Sequence, residues 1–225
     1  MELIENPILN SPFYEPERHF EFDERGVIKG NVQPGRRRSI YFTPIPGTKR
    51  KAAAQGALDF GGTSDRVEEN RLINQVRDRV GAWRRASYPS VTSTTRKLLN
   101  HWSVVEGRAR PLFFCQREAI ETAVYLTEVA QKDHAYFTST LAQYANALND
   151  GLYRMALKMA TGSGKTVVMS LIIAWQTLNK AQQPNDGRFT DQFLVVAPGI
   201  TIKDRLRVLE PTDPDNYYDG LDLLP

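Results

Sequence analysis

The feature that most restricts how this chain can fold is the heptapeptide ATGSGKT, residues 160–166. It is set between the run LYRMALKM (152–159) and the long apolar stretch TVVMSLIIAWQTLNK (166–180). Gly162 and Gly164 permit backbone angles closed to residues with a Cβ, so successive N–H groups can turn inward toward an anion. A helix beginning near Lys165 adds the positive end of its dipole. Lys165 is then placed to set an ammonium between the β- and γ-phosphates of a nucleotide, and Thr166 to offer its hydroxyl to Mg²⁺. The candidate nucleotide-binding set is Thr161, Gly162, Ser163, Gly164, Lys165 and Thr166. Lys165 and Thr166 are the candidate catalytic residues, and Thr166 is the candidate Mg²⁺ ligand. The general pattern G-x-x-x-x-G-K-[ST] puts glycine at position 159, where this chain has Met159. An apolar residue fits there if it closes a strand. The competing reading is a glycine-rich turn that binds no ligand.

The surroundings of the loop predict its fold. LYRMALKM reads as a strand and TVVMSLIIAWQTLNK as a helix buried against a sheet. PNDG (184–187) turns the chain, and QFLVVAP (192–198) is a continuous apolar run of the kind buried in parallel sheets. Strand, loop, helix and strand in this order make a right-handed βαβ unit. The expected class is α/β, an incomplete P-loop domain with a parallel sheet and flanking helices. A mostly irregular and helical N-terminal region precedes it.

Upstream, residues 1–62 form a basic, proline-rich arm in which SIYFTPIP (39–46) reads as a short edge strand ended by Pro44. KRKAAAQGALDFGGTS (49–64) reads as a linker. Asp65 and Glu68 have capping-box spacing, and Ile73, Val76, Val80 and Trp83 share one face, predicting a helix from Asp65 to about Ala86. A second helix is expected from about Thr92 to Trp102, so residues 63–109 form a helical segment. FFCQREAIETAVYLTEVAQ (113–131) is a third helix, with Ile120, Ala123, Val124 and Thr127 at helical spacing. Phe137, Leu141, Tyr144 and Leu148 mark a fourth, stopped by NDG (149–151).

Charge divides the chain unevenly. Residues 1–110 hold 19 Lys and Arg against 13 Asp and Glu, whereas residues 111–225 hold 10 against 13. No carboxylate lies between Glu24 and Asp59, a span containing Arg36, Arg37 and Arg38 together with Tyr41 and Phe42. Such a segment either follows a polyanionic backbone or serves as a solvated arm. The single Cys115 and three scattered histidines argue against an internal disulfide and a structural metal site. The longest apolar run is about half of what a membrane helix needs. The N-terminus lacks the layout of a signal peptide, so a reducing cytoplasm is the expected compartment, with no membrane partner.

MATGSGKT (159–166) resembles motif I of superfamily-two helicases, particularly the motor subunits of type III and type I restriction enzymes, where methionine often opens the motif. RPLFFCQREAIE (110–121) resembles the upstream arginine–aromatic–glutamine segment of the same group. FLVVAPGITIKDRL (193–206) resembles motif Ia. The resemblance implies a first RecA-like ATP-binding domain over residues 110–225, with ATP and Mg²⁺ as cofactors. It implies that Gln116 reads adenine, and that Pro198, Gly199 and Ile200 lie near double-stranded DNA. A methyltransferase subunit is the implied protein partner.

The family's D-E-x-x sequence after an apolar strand does not follow Thr166, nor does a second RecA-like domain. The expectation is therefore a partial domain ending before the Walker B motif, the N-terminal part of a longer DNA-dependent ATPase or translocase of the type III restriction res kind. The alternatives are a non-catalytic module that binds ATP or DNA, and a DEAD/DEAH-type helicase without nuclease activity. A P-loop phosphotransferase ranks last, since only Arg188, Arg205 and Arg207 follow the loop as arginines.

Overall fold

The computed structural model describes residues 8–22, 28–43, 66–149 and 154–225. The chain separates into two compact units. The first comprises residues 1–11 and 15–75, the second 12–14 and 76–225.

The first unit is built on two small antiparallel ladders. Strand β1 (Arg18–Phe22) pairs with β2 (Ile28–Pro34), in register from Arg18 opposite Pro34 to Phe20 opposite Val32, with a shift before Phe22 meets Ile28. Strand β3 (Ile40–Thr43) pairs with β4 (Arg66–Glu69). The N-terminal region is thus more regular than its proline content suggests. β3 lies where SIYFTPIP predicts a strand, while Pro44 and the linker 49–64 fall outside the described residues.

β4 displaces the predicted start of the first helix. Helix α1 runs Arg71–Arg85, and Arg66–Glu69 is extended instead. The pairing with β3 outweighs the local capping-box pattern, and Asn70 continues it by donating its N–H to the Ser39 carbonyl at 2.9 Å. Of the predicted apolar face, Val76, Val80 and Trp83 are buried, whereas Ile73 is 42% exposed.

The second unit is helical. Helix α2 (Ser93–Ser103) starts at Thr92, whose hydroxyl accepts from the Thr95 N–H in the manner of an N-cap. Helix α3 (Phe114–Val124) continues through a π turn (Tyr125–Val129) into the short α4 (Ala130–Asp133), and α5 spans Ala135–Asn149. On α5 the buried side chains include Phe137 and Ala145, while Tyr144 is 65% exposed and so leaves the predicted stripe. The long helix α6 (Lys165–Gln182) packs against α2 and α3. The short helices α7 (Ile200–Arg205) and α8 (Tyr217–Gly220) flank a 3₁₀ turn at Leu206–Leu209. Leu98, Trp102, Ile120, Val124, Leu171, Trp175 and Leu223 form the core. Among the described residues no helix is long and apolar enough to cross a membrane.

The predicted parallel sheet is overturned. Residues 154–160 and 192–197 carry no strand, and both ladders among the described residues are antiparallel and lie in the first unit. The physical reason is that a strand's hydrogen bonds all go to its neighbour, so apolar composition cannot make one alone. Here Leu194 and Val196 are 89% and 83% exposed instead of buried in a sheet. The α/β, RecA-like assignment is accordingly replaced by a mostly helical architecture with two small antiparallel ladders.

Candidate functional site

The glycine loop turns sharply into α6. Gly162 and Gly164 have φ of 79° and 78°, left-handed values that glycine adopts without penalty. Gly164 is the N-cap of α6, and its carbonyl accepts from the Val167 and Val168 N–H groups at 3.0 and 3.3 Å. Lys165 and Thr166 follow as the first helical residues, whose N–H groups have no acceptor within the helix. The loop is drawn closed on the Ala160 carbonyl. That oxygen accepts from the Ser163 hydroxyl at 2.7 Å and from the Lys165 ammonium at 2.8 Å. Lys165 is exposed and Thr166 half-buried in the first turn.

Gln116 is brought directly to this loop. It sits at the third position of α3 and is 5% exposed. Its Oε1 accepts from the Phe113 N–H at 3.0 Å, and its Nε2 donates to the Ser163 carbonyl at 3.0 Å. These partners fix which end of the amide is oxygen, because a backbone N–H only donates and a carbonyl only accepts. A Cβ on Gly164 would lie 2.2 Å from Gln116 Nε2, so loop and amide are in close contact. The start of α3 is itself tied down. Phe114 N–H donates to Pro12 O at 2.8 Å, and Arg117 Nη2 donates to Phe13 O at 2.7 Å. Cys115 Sγ lies 3.9 Å from the same Ser163 carbonyl. Desolvation pushes its thiol pKa up, the opposite of an activated nucleophile.

Pro198, Gly199 and Ile200 open α7 and are all exposed. Arg36, Arg37 and Arg38 lie in the first unit, between a turn held by Gly35 N–H on Glu17 O and the Ser39–Asn74 hydrogen bond of 2.8 Å. The Arg37 guanidinium stacks 3.8 Å from the Phe22 ring centre, and Arg38 Nε is 3.9 Å from Glu69. Among the described residues no group of three or more His, Cys, Asp or Glu is arranged to hold a metal ion.

Two buried glutamates escaped sequence reasoning. Glu121 is 2% exposed and meets Arg84 at 2.6 Å and the Tyr88 hydroxyl at 2.8 Å. Glu128, in the π turn, is 1% exposed and accepts from Thr92 N–H, Thr95 Oγ1 and Trp175 Nε1. The available signal is their position: both interrupt the apolar face of the third predicted helix.

No curated protein and no solved structure matches the chain. Residues 111–217 match the family model described as type III restriction enzyme, res subunit. This stretch holds Gln116, the glycine loop and α6, and in that family such a region is related to helicases and ATPases. Over residues 111–217 the chain is therefore similar to the type III restriction enzyme res subunit family.

Proposed function

We propose that this chain binds ATP with Mg²⁺ and supplies the nucleotide-gripping part of a DNA-dependent ATPase or translocase in a type III restriction system. The observation that carries the reading is the pair of left-handed glycines, Gly162 and Gly164, at the mouth of α6, with the Gln116 amide against Ser163. The residues fit the ligand in chemistry as well as in order. The first N–H groups of α6 and the exposed Lys165 ammonium supply positive charge for phosphate oxygens. Lys165 leaves the Ala160 carbonyl to do so, which couples phosphate entry to opening of the loop. Thr166 offers a hydroxyl to Mg²⁺, whose charge offsets that of the phosphates.

Gln116 retains capacity for a base. An amide oxygen has two lone pairs and an amide nitrogen two hydrogens, and Phe113 and Ser163 take one of each. The remaining acceptor and donor match the N6 and N7 edge of adenine, whereas guanine presents acceptors at both positions. DNA is the partner that follows from the family, with Arg36, Arg37, Arg38, Pro198 and Gly199 as contact residues. A methyltransferase subunit completes the assembly.

Titration calorimetry of the full chain with Mg-ATP tests the reading. Heat of binding that is lost in Lys165→Ala supports it, and the absence of any binding heat overturns it. Binding without turnover on added DNA selects a non-catalytic module instead.

A further inference from the structure

Helix α3 with its π turn and helix α6 with its preceding loop are joined by directional bonds at two places. At one end Gln116 Nε2 donates to the Ser163 carbonyl at 3.0 Å. At the other Trp175 Nε1 donates to Glu128 at 2.9 Å. Each bond links residues 47 apart in sequence, so twelve residues separate the two bonds on either side. Twelve helical residues extend roughly 18 Å. Between the bonds lie Ile120, Val124, Val168 and Leu171, all buried. Their packing already favours one register, and the two hydrogen bonds, which weaken steeply with displacement, fix it at either end.

Glu128 lies within the π turn. There the Ala130 N–H reaches back five residues to Tyr125 O. The extra residue turns the chain by about 100° relative to a continuous α-helix, given 3.6 residues per turn. The carboxyl so directed meets three donors. Oε1 takes Thr95 Oγ1 at 2.6 Å together with Trp175 Nε1, and Oε2 takes the Thr92 N–H at 2.9 Å. Asn179, one turn beyond Trp175 on α6, adds a bond to Thr95 Oγ1 at 2.9 Å. The first turn of α2, the π turn and the middle of α6 thus meet on a single side chain.

We propose that Glu128 is a positioning residue that sets the axial register of α6 against α3, and through it the seat of Ser163 and Gly164 on Gln116. The contact at the loop tolerates little movement, since even a Cβ on Gly164 would collide with Gln116 Nε2. A slide of one helical residue, about 1.5 Å, breaks it. The effect on nucleotide rests on the ATP reading above, while the register itself does not.

The experiment is a double-mutant cycle on the full chain. Glu128→Gln leaves one acceptor oxygen where two are used, so either Thr92 N–H or Trp175 N–H must face an amide N–H. Mg-ATP affinity by calorimetry is expected to fall about tenfold in Glu128→Gln and about tenfold in Gln116→Ala. Combined, they should fall about tenfold rather than hundredfold, because both break the same contact. Additive losses, or unchanged affinity in Glu128→Gln, overturn the proposal. Hydrogen exchange decides the register without nucleotide. In Glu128→Gln the Val167 and Val168 amides should exchange at least about tenfold faster, with the Val80 and Trp83 amides of α1 unchanged. A uniform rise means general destabilisation and sinks the proposal. If the wild type binds no Mg-ATP, the ATP reading fails and the exchange measurement alone decides. Should Glu128→Gln not fold, Trp175→Phe removes a single N–H donor and is expected to act in the same direction, about threefold.

Discussion

Gly164 is held by two independent constraints. Its φ of 78° is costly for any residue with a side chain, and a Cβ there would meet the Gln116 amide at 2.2 Å. Gly164→Ala is therefore expected to lose about 1–2 kcal/mol of stability from backbone strain and to displace Gln116, weakening Mg-ATP binding at least about tenfold. Lys165→Ala should separate the two effects. The side chain is exposed and donates to its own loop at the Ala160 carbonyl. Its removal should change thermal stability by no more than about 0.5 kcal/mol while eliminating the binding heat. Parallel loss of fold and binding in both variants would contradict this assignment. The left-handed conformation of the glycines was legible in sequence because such a turn is a local demand. The bond from Gln116 to Ser163 was not, since it joins residues 47 apart.

Between elements, a buried polar tie runs from α1 to α3. Arg84 and Tyr88 both reach Glu121, and the ion pair is nearly enclosed, with side chains 17% and 3% exposed. Burial first, and then the Glu121 charge, push the Tyr88 phenol pKa up, which keeps its proton available as a donor. Removing one member of a buried pair leaves the other unmatched, so Glu121→Ala should cost about 3–5 kcal/mol in urea unfolding. A loss below about 1 kcal/mol would show that water reaches the site. A second tie is tunable by pH. Hydrogen bonds from Arg188 lower the Asp186 pKa from 3.8 to about 2. A lowered folded-state pKa contributes stability that is present above pH 3.8 and lost as pH falls toward 2. Asp186→Asn should therefore flatten stability across that window, and an acid limb identical to that of the wild type would exclude the contribution. Sequence pattern revealed α2, α3 and α6, by helical spacing in α3 and by the length of the apolar run in α6. It misplaced the start of α1, where pairing of Arg66–Glu69 with β3 prevailed, and it could not supply the neighbours that 154–160 and 192–197 would need to be strands.

Over the whole molecule the exposed apolar run Phe193–Val196 and the uneven charge have separate consequences. Leu194 makes almost no use of its apolar surface in this fold, being 89% exposed. Leu194→Lys should thus alter stability by less than about 0.5 kcal/mol while reducing concentration-dependent light scattering. Unchanged scattering would clear this run of any part in self-association. The charge argument concerns the other unit. Arg36, Arg37 and Arg38 are bracketed by backbone hydrogen bonds at Gly35 and Ser39, so little chain freedom remains to be lost when an anion is met. Duplex DNA releases counterions as its phosphates are neutralised, and log affinity falls with log salt by about 0.9 per phosphate contact. Titrating the full chain with a short duplex at several salt concentrations should give a steep slope. Replacing the three arginines with alanine should flatten it by up to about three contacts' worth without altering preference among DNA sequences. Arg37 is the informative member. Its stacking on Phe22 already directs the guanidinium, so Arg37→Lys, which keeps the charge but loses the planar face, should weaken binding more than Arg36→Lys does. Equal effects would mean that the arginines act as a diffuse charge, and a flat salt response in the wild type would mean that they do not contact phosphate at all.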